Sequence, residues 1–173
     1  VASLLAMPLW MKLAIKLGKA QALTIALGYG ALINLILIPL AEPGNAVVLW
    51  GFTLSFGVAF GAAPTLLRTM MADLTDLDEL DSGEKRAGLF FAMLTTTNKL
   101  GAAVAVGLSF TILEAVFAFQ PAAENSEAAL QGLLWTYAIG TAAGLLLAAL
   151  PVINYPLNRA QHQKIRDQLD ARA

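Results

Sequence analysis

The chain has 173 residues, of which 58% are hydrophobic and 13% charged, with mean hydropathy +0.68; soluble domains run at about 45–50% apolar and about 25% charged. So little charge cannot cover a water-soluble globule, which excludes an ordinary soluble enzyme, and the net charge of −1 leaves no basic footprint for nucleic acid. The absence of cysteine and a single histidine, His162, exclude a disulfide scaffold, thiolate metal sites and a histidine metal cluster.

A membrane-spanning helix needs about 17–25 mostly apolar residues. Residues 1–17 are apolar as far as Lys12 and then amphipathic, so they read as the end of a span whose beginning is absent. Val1 is not an initiator Met and no charged leader precedes this run, so the chain reads as a piece of something longer. Further spans are expected at 21–41, which carries no charge, at 46–72 with Arg68, at 87–118 with Lys99 and Glu114, and at 131–155 with none. The runs do not alternate in the way that strands of a closed barrel do, so the fold class is an all-α membrane bundle of about five helices, one of them truncated. Pro64 is expected to kink the third span. The pairs Gly57/Gly61 and Gly140/Gly144 suit close helix packing. Residues 156–173 are a polar tail, either a short helix or disordered.

Lys and Arg fall alternately among the connections. The approach to the first holds Lys12, Lys16 and Lys19; residues 41–45 hold none; residues 73–86 hold Lys85 and Arg86; residues 119–130 hold none; the tail holds Arg159, Lys164, Arg166 and Arg172. By the positive-inside rule the first and third connections and the C-terminus face the cytoplasm. Trp50, Trp135 and Tyr137 then sit at outer ends and Tyr155 at an inner end, as interfacial aromatics do. The expected location is a multi-pass protein of the cell (inner) membrane in contact with lipid.

Lys99 is the most informative residue. It lies about 20 Å along a helix from Arg86 at 1.5 Å per residue, beyond the reach of snorkelling, so its ammonium must face a cavity or a partner. Thr95, Thr96 and Lys99 share a stripe with Ala92, Ala103, Val106 and Phe110, a polar centre suited to a polar ligand in a wet pathway. A structural lysine paired to another helix is the alternative. Glu114 is expected near the outer surface. Arg68 is expected to snorkel or to pair with an acidic residue of the following connection. That connection, residues 73–86, carries six carboxylates and two cations. It is no EF-hand, because the sixth position from Asp73 is Asp78 rather than Gly. It reads as a solvated acidic loop, or as charged pairs that open and close a cytoplasmic gate. No intramembrane His, Cys or Asp supplies a nucleophile–base pair or metal ligands, so an enzyme is not expected.

The segment ADLTDLDELDSGEKRAGLFFAMLTTTNKLG, residues 72–101, resembles the signature between the tenth and eleventh helices of the glycoside–pentoside–hexuronide:cation symporters. These are the melibiose-permease-like branch of the major facilitator superfamily. Asp73, Asp76, Asp78 and Glu79 match its acidic part, and Gly83, Lys85, Arg86 and Gly88 the part that follows, with Lys85 where Arg is common. Lys99 falls on the lysine of the eleventh helix without a gap. Pro8, Trp10, Leu13, Lys16, Gly18 and Lys19 resemble the cytoplasmic loop between helices eight and nine. The resemblance implies the end of helix eight through helix twelve of a twelve-helix carrier. That carrier would move sugars or acidic relatives with Na⁺, H⁺ or Li⁺ by alternating access. It implies that Lys99, Thr95 and Thr96 line the substrate and cation pathway, and that Asp73, Asp76, Glu79, Lys85 and Arg86 belong to the cytoplasmic gate. No cofactor and no bound metal is expected in this chain; the ligands of the coupling cation would lie in an N-terminal half that the chain lacks and would need as partner. A lipid or other-solute carrier of the same fold, and a non-transporting membrane subunit, are the competing readings.

Overall fold

A computed structural model describes residues 1–40, 42 and 44–172. All regular structure among them is helical: α1 Ala2–Leu17, α2 Lys19–Leu40, α3 Ala46–Phe60, α4 Ala62–Ser82, α5 Ala87–Phe117, α6 Glu127–Ile153 and α7 Arg159–Asp170. Four stretches are long and apolar enough to cross a membrane, namely α2, α3 with α4, α5 and α6. α1 covers the expected clipped span. Ala41 and Pro43, in the second connection, lie outside the described residues.

The helices assemble on small residues. α2 packs along α6 and also touches α1, α3 and α4. The core is a seam of Ala6, Trp10 and Ala14 from α1, Ala22, Leu23, Ala26 and Leu27 from α2, Ala62, Leu66 and Met70 from α4, and Ala149 from α6. The i, i+4 spacing on α1 and α4 makes each a ridge that fits a groove of its neighbour. With no water to drive association, close van der Waals contact between such helices supplies the stability. Trp10 adds a polar tie: its Nε1 donates to the Val58 carbonyl at 2.7 Å.

Three expectations are refined. The third run divides at Gly61, where α3 hands over to α4 although Gly61 keeps helical φ and ψ of −67° and −22°. Pro64 lies in the first turn of α4, and a proline ring collides with the carbonyl four residues back, here Phe60, which explains a break just ahead of it. The glycine pairs divide. A Cβ on Gly57 would press on Ala2, and one on Gly61 would run into the Ser3 backbone, so both mark a close approach of α1 to α3. Gly140 and Gly144 meet nothing within 4 Å and line an open groove between α5 and α6 instead. Finally, Pro8, Trp10, Leu13 and Lys16, matched to a loop, are helical; Gly18, at φ 101, is the whole link between α1 and α2.

The largest difference concerns residues 73–86. They are no loop as far as Ser82: α4 continues through Asp73, Asp76, Asp78 and Glu79, and ends at Gly83, which caps it in the left-handed conformation at φ 74. Leu74, Leu77 and Leu80, three residues apart, give this segment a helical apolar edge that overall hydropathy hides. The tail is likewise ordered. α7 opens with a reciprocal capping box between Asn158 and Gln161, buries Ile165, and packs on α4.

Candidate functional site

Two groups of polar residues stand out, one along α5 and one at the end of α4 that carries the acidic segment.

On α5, Thr95, Thr96 and Lys99 share one side at i, i+3 and i+4 spacing, and all three are exposed. The Thr95 hydroxyl donates to the Phe91 carbonyl at 2.9 Å, which leaves its oxygen free to accept. Among the described residues no carboxylate lies within ion-pair distance of Lys99 or Arg68, and no cation within that distance of Glu114; the expected pairing of Arg68 with the acidic segment does not form. α5 touches α6 towards its C-terminal end, where the Phe117 ring lies on Gly132, and meets α4. Over most of its length it is uncovered. Counted at about 1.5 Å per residue, Lys99 stands about 20 Å along α5 from Arg86, well away from the charges at the end of α4.

At the end of α4, Asp73, Asp76, Asp78 and Glu79 each have a cationic partner. The Asp73 carboxylate, 7% exposed, accepts from Lys19 Nζ through both oxygens at 2.7 Å. His162 Nε2 of α7 lies 2.8 Å from Asp76 and 3.4 Å from Asp73. Arg166, one turn further along α7, is 3.6 Å from Asp76. Further along α4, Arg86 grips Asp78 with two hydrogen bonds of 3.0 and 2.6 Å, and Lys85 lies 3.6 Å from Glu79. The Asp78 contacts, first the hydrogen bonds and then the negative charge, hold the Arg86 guanidinium more firmly protonated than usual. Tyr155, just past α6, donates to the Met70 carbonyl at 3.0 Å. Burial, and secondarily the charge of Asp73, push its phenol up to about 12. A cleft of about 430 Å³ lies here, lined by Met11, Lys19, Asp73, Tyr155, Arg159 and His162.

The structure therefore brings Thr95, Thr96 and Lys99 together, and separately Asp73, Asp76, Glu79, Lys85 and Arg86. It divides the second group by partner: Asp73 and Asp76 are met from α2 and α7, while Lys85 and Arg86 pair with Glu79 and Asp78 close by in sequence. Sequence reasoning missed Lys19, Tyr155, His162 and Arg166 as members of that cluster. The sequence did carry the sign that the last two lie on a helix: His162, Ile165 and Leu169 recur at helical spacing behind the N-x-x-Q cap.

Comparison with known proteins gives a consistent answer. The family model described as MFS/sugar transport protein matches residues 1–159. An uncharacterized symporter of Synechocystis sp. is 33% identical over 138 residues, which make up 77% of this chain and 25% of that relative's length. No solved structure matches the chain.

Proposed function

Because the chain belongs to the MFS/sugar transport protein family, among transport proteins and not enzymes, we propose that it forms the C-terminal part of a sugar:cation symporter. The substrate is a sugar, glycoside or hexuronide, and the driving ion is Na⁺ or H⁺. The aligned segment covers only a quarter of the symporter it resembles, in keeping with a partner half that supplies the other wall of the site and the ligands of the coupling cation. Such carriers hold substrate near the membrane's middle, between two halves that rock against one another. Ion and sugar favour the same conformations and so drive one another by linkage.

The observation that carries this reading is Lys99. A cation placed at the centre of a spanning helix costs about 2.5–3.5 kcal/mol on insertion scales. A structural lysine would recover that from a carboxylate of its own bundle, and Lys99 has none among the described residues. With Thr95 and Thr96 one turn away, it presents a donor and two hydroxyls to whatever fills the pathway, the complement of a sugar's hydroxyls or carboxylate. The positive-inside count places α7 and the α4–α5 turn in the cytoplasm, so the cluster at the end of α4 is the inner gate.

The test is thiol labelling of Lys99→Cys in the full-length carrier, with native cysteines replaced. A water-soluble thiol reagent labels this position, and the transported sugar together with its cation slows the labelling. A position that stays unlabelled, or that labels equally with and without substrate, contradicts the pathway role. The isolated chain, holding one wall of the site, gives no substrate-specific uptake in vesicles.

A further inference from the structure

We propose that His162 is a positioning residue: through it α7 straps the inner end of α4 and holds Asp73 and Asp76 on the chain's own cations, outside the contacts that open and close the gate. The functional half of this inference rests on the carrier reading above.

The two carboxylates sit one turn apart on α4 and repel each other. Lys19 takes Asp73 from α2, and Arg166 reaches Asp76 from α7 at 3.6 Å. Among the described residues only the imidazole of His162 lies within 4 Å of both. One nitrogen between two acceptors sets their spacing, and even a neutral ring has one N–H to give. α7 is built to present it. The capping box starts the helix, Ile165 is buried on the same face, and Arg172 donates to the Leu80 carbonyl at 2.6 Å, which ties the far end of α7 to α4.

α2, α4 and α7 are thereby joined at this end and move together when the halves rock. Asp73 and Asp76 have their charge answered from within. The pairs Glu79 with Lys85 and Asp78 with Arg86, which involve neither α2 nor α7, remain to meet the rest of the carrier. The gate residues read from the sequence thus have two different jobs.

The experiment compares His162→Leu, His162→Gln, Asp76→Asn and the Leu/Asn double variant in the full-length carrier in liposomes. Leu keeps the bulk and loses the donor; Gln keeps a donor near the place of Nε2. The expected result is that His162→Leu lowers maximal uptake severalfold with the half-saturating sugar concentration unchanged, while His162→Gln restores most of it. Asp76→Asn costs a similar factor, and the double variant no more than either single one. Trypsin cuts after Lys164 and Arg166 faster in the Leu variant than in the parent or the Gln variant. Multiplicative losses in the double variant, a Gln variant as poor as Leu, or unchanged cutting in the Leu variant would each overturn the strap. Should the parent carrier move no sugar, the transport reading fails alone, and the trypsin comparison still decides the strap.

Discussion

Near the C-terminal end of α4, Asp73, Asp76, Asp78 and Glu79 each lie within 3.6 Å of a cation of the same chain; on α5, Lys99 has no such partner among the described residues. The first region is dense in charge and the second nearly bare, yet the bare one says more about function. A charge answered inside its own bundle is explained by the fold. A charge held in the apolar part of a membrane helix without an answer needs something outside the fold to explain it. The contrast separates two kinds of polar residue that hydropathy treats alike, and it separates two kinds of experiment: variants of the buried Asp73 pair change stability, variants on the α5 stripe change transport.

The sharpest attack on that division is Asp73→Ala, which leaves Lys19 facing a void and removes one acceptor of His162. Breaking a well-buried pair costs about 3–5 kcal/mol. Lys19 is 35% exposed and recovers part of this from water, so a loss of about 2–4 kcal/mol is expected. It appears as a clear drop in the melting temperature of the purified protein, and an unchanged melt would dissolve the distinction. Next in size is Gly61→Val. Its side chain runs into the Ser3 backbone, and overpacking costs about 1–3 kcal/mol, whereas Gly140→Ala, facing open space, leaves the melt where it was. Equal effects at both glycines would refute the α1–α3 approach.

Smaller still is Arg86→Ala. The pair with Asp78 has good geometry but is exposed, and such pairs add little to stability. The melt stays within error of the parent while gating, read as maximal uptake, falls. At neutral pH the effect at Tyr155 is silent, and it shows only in alkali. Its folded phenol titrates near 12 against an ordinary value near 10, so the unfolded chain releases the proton first. The stability tied to the neutral phenol is complete below about pH 10 and is lost as pH rises from about 10 to about 12. Tyr155→Phe removes that decline, and a parent and variant that lose stability in parallel would show the phenol to be ordinary.

The spans were legible because the lipid leaves helices no alternative and long uncharged runs announce them. The extension of α4 was not, since six carboxylates within 14 residues swamp the leucine spacing that marks its helix. The break at Gly61 was legible only through Pro64, which acts on the residue four positions back. Within the site, Lys99, Thr95 and Thr96 could be read because they share one helix and a local period. The partners of Asp73 and Asp76 could not: Lys19 lies 54 positions before Asp73 and His162 lies 86 positions after Asp76. A single histidine in a polar tail carries no mark of where it docks until α7 is folded onto α4.

The central claim, that Lys99 serves transport and not the fold, is tested most directly by Lys99→Ala in the full-length carrier, with sugar uptake and melting temperature measured on the same preparations. The account predicts that uptake is lost while the melting temperature holds or rises, because no carboxylate among the described residues pairs with Lys99 and none of their contacts is lost with it. Retained uptake together with a lowered melting temperature would contradict it and make Lys99 a structural residue.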